Sequence, residues 1–148
     1  MTQALALFDL DNTLLAGDSD YNWSLFLISE GLLDEKTHHD RNEQFYKDYK
    51  NGGLDINAFL QFQLAPLAQH SKQFLDELHV KYMDTVIRPM MTEKAQALVK
   101  QHQDNGDLCM IITATNSFVT GPIATAYGIE HLIGTDPEMV DGQFTGNV

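Results

Sequence analysis

Basic residues are scarce: 9 Lys+Arg stand against 21 Asp+Glu, a formal charge of −12 over 148 residues, and none follows Lys100. A surface of that sign repels the phosphates of nucleic acid and of anionic membranes, so neither is expected as a partner. Cys109 is the one cysteine, which excludes an internal disulfide and a cysteine-based zinc site and fits a reducing, cytoplasmic setting. Long hydrophobic runs are missing as well: the stretch Ala4 to Phe8 is far short of the roughly 20 residues a membrane span needs. No charged segment followed by an apolar one opens the chain, so no secretion signal is expected. At 43% hydrophobic and 20% charged the sequence is too apolar for disorder. It is long enough for one domain, or for one domain carrying a smaller one.

Residues 4–8 are apolar without helical period and end abruptly in Asp9-Leu10-Asp11-Asn12-Thr13, which reads as a fully buried strand running into a polar loop. A long helical stretch follows. Residues 20–33 carry Trp23, Phe26, Leu27 and Leu33 on one flank, with Asp18 or Ser19 able to cap them; Asn51-Gly52-Gly53 is a break. Asp55 can cap a helix bearing Ile56, Phe59, Leu60 and Leu67, with Pro66 kinking or ending it. A further helix is expected from Ser71 to about Val86, with Phe74, Leu75, Leu78 and Tyr82 on its apolar side. Beyond Arg88-Pro89 helix and strand alternate. Thr92 can cap a helix with Ala95, Leu98 and Val99 inward, ending at Asn105-Gly106. Residues 108–112 are a second apolar strand, a short helix runs over roughly 118–127, and His131-Leu132-Ile133 is a third strand. Asp141-Gly142 between Met139-Val140 and Gln143-Phe144 signals a hairpin. The expected fold is α/β: a Rossmann-like parallel sheet core made of residues 1–17 and 89–148, with a helical cap, 18–88, inserted after the first strand.

The Asp loop carries the chemistry. Ligands of open α/β sheets bind beyond the carboxyl ends of the strands, where this loop falls. Asp9 and Asp11, two residues apart in a tight loop, repel each other unless a cation or proton intervenes, and Mg²⁺ is the hard, oxygen-seeking ion that uses one or two carboxylates beside a substrate phosphate. Such a metal would let a carboxylate approach phosphorus as a nucleophile. A calcium EF-loop fails, because Leu14 stands where that loop demands Gly and Asp20 where it demands Glu. A second candidate is Thr113-Ala114-Thr115-Asn116 after the second strand, where a hydroxyl and backbone N–H groups could hold phosphate oxygens; Thr and Asn there also serve as ordinary helix caps.

Phe8-Asp9-Leu10-Asp11-Asn12-Thr13-Leu14-Leu15 resembles the first signature of the haloacid dehalogenase-like hydrolases, DxDx(T/V) after an apolar strand. Ile111-Ile112-Thr113-Ala114-Thr115 resembles their second, and the insertion and the run from Gly134 to Gly146 are similar to the phosphoserine-phosphatase-like branch. The resemblance implies a Mg²⁺-dependent phosphohydrolase of small phosphomonoesters, working through an aspartyl phosphate, with substrate bound between the sheet's C-terminal edge and the cap. Asp9 would be nucleophile and metal ligand, Asp11 general acid/base and a ligand through its carbonyl, and Thr113 with Ala114 and Thr13 would bind the phosphoryl group. The family's third and fourth signatures, a Lys and then an acidic pair, have no counterpart after Thr113. A partial chain is therefore expected, with an apolar sheet edge at its first strand that invites homo-oligomers, and with poor turnover by residues 1–148 alone. The alternative is a catalytically incomplete fragment that binds phosphate and metal or acts as an assembly module.

Other residues carry weaker signals. His38-His39 with Glu43 has metal-like spacing on what reads as a solvated helix face, and Cys109 reads as a buried small hydrophobe. Arg41, Lys47 and Arg88 could meet an anionic substrate or simply pair on the surface, and Asp18 could touch substrate or cap the next helix.

Overall fold

The apolar run at the start of the chain forms β1 (Leu5–Phe8), which pairs in parallel with β2 (Leu108–Asn116), which pairs in parallel with β3 (His131–Thr135). The computed structural model describes residues 2–148. Nine further elements follow among the described residues: α1 (Ser19–Ser29), α2 (Glu35–Lys50), α3 (Ile56–Ala68), α4 (Lys72–Tyr82) continuing through a wide turn into α5 (Arg88–Met90), α6 (Glu93–Asp104), α7 (Ser117–Ala126) and the hairpin of β4 (Met139–Val140) and β5 (Gln143–Phe144). The α/β class and the parallel sheet follow the sequence reading. The helix boundaries track local chemistry: the side chains of Asp34, Asp55, Thr92 and Asn116 each accept a backbone N–H from the first turn of α2, α3, α6 and α7. Gly106 and Gly128, at φ 76 and 69, close α6 and α7 in the left-handed conformation that suits glycine.

The chain divides into two compact units. The first, residues 1–23 and 78–136, holds the sheet with α6 and α7. Val99, Val119 and Ile123 on these helices are fully or nearly fully buried, as are Phe8 and Ile111 on the strands. The Phe8 ring meets His102 of α6 edge-on at 5.6 Å, which shows which face α6 covers. The second unit, residues 24–77 and 137–148, holds α2, α3 and the hairpin. Its core centres on Phe45, whose ring lies 5.5 Å from Phe59 and 5.3 Å from Phe62. Asp141 and Gly142, both at positive φ (51 and 77), make the tight turn that joins β4 to β5, and the hairpin rests against α3, with Gly146 close to Ala65 and Ala68. Residues 137–148 group with the helices of this unit, and the unit boundaries fall inside α1 and α4.

Several local expectations are corrected. β1 is not fully buried: it is the sheet's edge strand, and Leu5 and Leu7 are 56% and 54% exposed while Phe8 is covered. α1 stops at Ser29, so Leu33 lies outside it, and Leu98 and Phe74 face outward. β2 runs on through Thr113 to Asn116, with a register irregularity after Ile112, so the strand extends four residues past the expected end at 112. No helix among the described residues is long and apolar enough to cross a membrane.

Candidate active site

Phe8 sits opposite Ile111 in a parallel register, so the residues after β1 and the far end of β2 emerge from the same end of the sheet. The chain after β1 makes one wide turn, closed by Leu15 N–H donating to Leu10 carbonyl at 3.0 Å. Leu10 and Leu14 are buried as anchors, and the Tyr127 hydroxyl donates to the Leu14 carbonyl from beneath. Asn12 takes a left-handed conformation at φ 57, which Asn tolerates better than most residues, and its N–H reaches the Gly17 carbonyl at 2.9 Å. Anchored at both ends, the turn projects Asp9 and Thr13 to solvent and holds Asp11 half-buried.

Each carboxylate has defined partners. Thr13 Oγ1 donates to Asp9 Oδ2 at 2.9 Å. Asp11 is fastened at both oxygens: Ser19 N–H donates to Oδ1 at 2.7 Å and Thr115 Oγ1 donates to Oδ2 at 2.8 Å. Ser19 is itself fixed, because the buried Tyr82 hydroxyl donates to its carbonyl at 2.6 Å. Tyr82 belongs to an aromatic cluster: the Trp23 ring lies 5.0 Å from Tyr82, 5.5 Å from His79 and 5.7 Å from Phe118. Aromatic pairs of this kind contribute about 0.5–1.5 kcal/mol each beyond their burial, so the hold on Asp11 is backed by packing well away from it.

Thr113, half-buried, accepts the Thr115 N–H at 3.1 Å, and Ala114 is exposed with its carbonyl accepting from Thr135 Oγ1 at 2.8 Å. β3 passes so close here that a Cβ on Gly134 would stand 2.9 Å from the Thr115 carbonyl oxygen, which only glycine avoids without a backbone shift. Asp18 caps α1, its Oδ1 accepting the Asp20 and Tyr21 N–H groups at 2.9 Å.

The site is strongly acidic. Ion pairs such as Lys36–Asp40 and Lys100–Asp104 join helix neighbours and His102 meets Asp107, and among the described residues none involves Asp9, Asp11, Asp18 or Asp20. Burial first, then the charges of Asp18 and Asp11, push the Asp20 carboxyl up to about 7. Burial and the same three neighbouring acids raise Tyr82 far above the usual phenol range, so its hydroxyl stays a donor. The stability consequence follows in sign. Between 3.8 and about 7 the folded chain keeps a proton on Asp20 that the unfolded chain has lost, so stability present at the acid end is lost as pH rises through that window. Asp20→Asn is expected to flatten the slope, which thermal melts across the same window will measure.

The exposed Asp9 carboxylate is an oxygen donor of the kind a hard cation takes, and among the described residues no ion pair engages it. Among the described residues no cluster of three or more His, Cys, Asp or Glu is placed to hold a metal ion. His38 stacks on Phe62 at 4.9 Å, and Arg88 donates to Asp84 at 3.1 Å. Thr115 lay within the second candidate run and Ser19 was read as a helix cap, but neither was expected to hold Asp11; Ser19 does so through a backbone N–H, which no side-chain pattern announces.

The model of the haloacid dehalogenase-like hydrolases matches residues 6–148. The chain belongs to this family. Among curated proteins, a histidinol-phosphatase of Neisseria meningitidis serogroup C is 47% identical over 144 residues, covering 97% of this chain and 65% of that protein. A phosphoserine phosphatase of Mycobacterium tuberculosis is 29% identical over 151 residues, covering 98% of this chain and 48% of that one. Among solved structures, a Bordetella pertussis Tohama I protein of unknown function superposes with a TM-score of 0.91 at 47% identity, over 99% of this chain and 66% of that one. A substrate-bound phosphoserine phosphatase shares the fold, with a TM-score of 0.63 at 17% identity. The chain thus spans about half to two thirds of the length of these curated relatives.

Proposed function

We propose that the chain is a Mg²⁺-dependent phosphohydrolase that cleaves a small phosphomonoester through an aspartyl phosphate on Asp9. The observation that carries the reading is the contrast between two neighbouring acids: Asp9 is exposed, while Asp11 is fastened at both oxygens by Ser19 and Thr115. One is free to attack, and the other is held for proton transfer.

Asp9 attacks phosphorus through the oxygen that Thr13 leaves free, forming the acyl phosphate bond as the ester P–O bond breaks. Asp11 gives its proton to the departing alkoxide oxygen. It then takes a proton from the water that attacks the aspartyl phosphate, which releases inorganic phosphate and restores Asp9. Thr113, with the backbone of Ala114 and the hydroxyl of Thr13, holds phosphoryl oxygens. The Asp9 carboxylate and the Asp11 carbonyl would hold Mg²⁺, which would supply positive charge against the substrate phosphate where no ion pair of the described residues engages either acid. The names of the relatives point to small alkyl phosphates, with histidinol phosphate before phosphoserine on identity.

The test is phosphate release from histidinol phosphate, phosphoserine and a generic aryl phosphate, in Mg²⁺ and in chelator. Release that requires Mg²⁺ supports the reading. A chain that is stabilised by Mg²⁺ and phosphate but releases nothing is a binding module instead.

A further inference from the structure

The carboxyl group of Asp11 is held at two points that differ in how firmly they are built. The last torsion of an Asp side chain is soft, so one donor leaves the carboxyl free to pivot, whereas donors on different oxygens fix its plane. Thr115, whose hydroxyl holds Oδ2, stands near the end of β2; its N–H donates to Thr113 Oγ1, and Gly134 of β3 lies close against its carbonyl. Ser19, whose N–H holds Oδ1, is the first residue of α1, and helix ends fray. Its side chain gives no help, because the buried Ser19 hydroxyl has no hydrogen-bond partner among the described residues. The residue is fixed from its carbonyl side instead, where the Tyr82 hydroxyl donates at 2.6 Å.

Tyr82 is placed to be that anchor. It is fully buried at the last residue of α4, where the helix gives way to a wide turn, a local irregularity that recurs at functional sites. Trp23 meets its ring edge-on at 5.0 Å and His79 does so at 5.5 Å, while Phe118 packs on both of these at 5.7 and 5.4 Å. His79 Nε2 donates to the Val119 carbonyl at 2.8 Å, which ties the cluster to α7. In an interior packed this closely the ring has no room to swing, so its hydroxyl keeps one direction.

We propose that Tyr82 is a positioning residue for the proton step: it holds Ser19, through Ser19 it holds the Asp11 carboxyl, and so it sets the direction in which Asp11 gives its proton to the departing alkoxide oxygen as the P–O bond breaks. The kinetic consequence rests on the phosphatase reading, and the hold itself does not. An alkyl alkoxide is a poor leaving group and needs that proton, whereas a nitrophenolate departs without it. A misplacement of about 1 Å can cost on the order of 10²-fold, so loss of one hydroxyl tells on alkyl phosphates and spares nitrophenyl phosphate.

The experiment compares Tyr82→Phe, which keeps the ring and removes only the hydroxyl, with Tyr127→Phe, which takes another buried hydroxyl from the Leu14 carbonyl instead. The first readout needs no turnover: the Asp11 carboxyl-carbon and Ser19 amide resonances of the labelled chain at one pH, with hydrogen exchange of the Ser19 amide. Tyr82→Phe is expected to move both resonances and to speed that exchange by about tenfold or more, while Tyr127→Phe leaves the Asp11 resonance in place. The second readout is kcat/KM, which covers the steps up to departure of the alcohol, for histidinol phosphate and nitrophenyl phosphate. Tyr82→Phe is expected to lower it by about tenfold or more for the alkyl ester and by less than about threefold for the aryl ester. An Asp11 resonance indifferent to Tyr82→Phe would overturn the proposal, and so would equal losses on the two esters. A parent chain that releases no phosphate from either ester counts against the phosphatase reading, and the resonances then decide the role of Tyr82 by themselves.

Discussion

On the proposed mechanism, phosphate release is expected to fall by about 10⁴-fold or more when Asp9 is replaced by Asn, the scale on which enzymes lose activity when a covalent nucleophile is removed. Asn has the shape of Asp and keeps an oxygen to accept the Thr13 hydroxyl, but an amide oxygen does not form a phosphoryl ester that water can turn over. The side chain is exposed and carries no packing, so melting should change little, within the roughly 0.5 kcal/mol typical of surface changes. Asp11→Asn is expected to be milder, about 10²–10⁴-fold, because it removes proton transfer and leaves the nucleophile. The ordering is the check. If Asp11→Asn costs more than Asp9→Asn in single-turnover measurements, the roles of the two acids are exchanged and the aspartyl phosphate belongs elsewhere.

The second large effect separates two adjacent isoleucines. Ile111, fully buried at the centre of the sheet between Phe8 and Leu132, should cost about 2–5 kcal/mol as Ile111→Ala, from lost burial and the cavity left behind. At about 2–4 °C per kcal/mol for a chain of this size, the melting temperature drops by many degrees. Ile112 points to the opposite, exposed face of the sheet, and Ile112→Ala should stay within about 0.5 kcal/mol. Urea melts of the two variants test the facing of β2 directly. Equal losses would mean that the exposed face is covered in solution.

Legible in the chain alone were features built within a few residues of each other. Asp55, Thr92 and Asn116 announce their helices because a cap is a hydrogen bond to an N–H two or three positions on. Asp141-Gly142 announces its turn because those two residue types tolerate positive φ. The Asp9–Asp11 loop stood out because an apolar run ends there in two acids, and the family likeness of its pattern held. The sheet's uncovered face was not legible in the same way. Leu5 and Leu7 look like core in a one-dimensional run, and only the edge position of β1, with both helices on the opposite face, leaves them in solvent. Leu98 misled for the same reason, since helical period sets which residues share a side but not which side meets the sheet. The grip on Asp11 is a tertiary fact throughout: Thr115 is 104 positions away, and Tyr82, which steadies Ser19, is 63 positions from it. The rise of Asp20 to about 7 likewise needs burial and two converging carboxylates. Short-range hydrogen bonds write themselves into neighbouring letters; a facing, a desolvation or a contact across a hundred residues exists only once the chain has closed on itself.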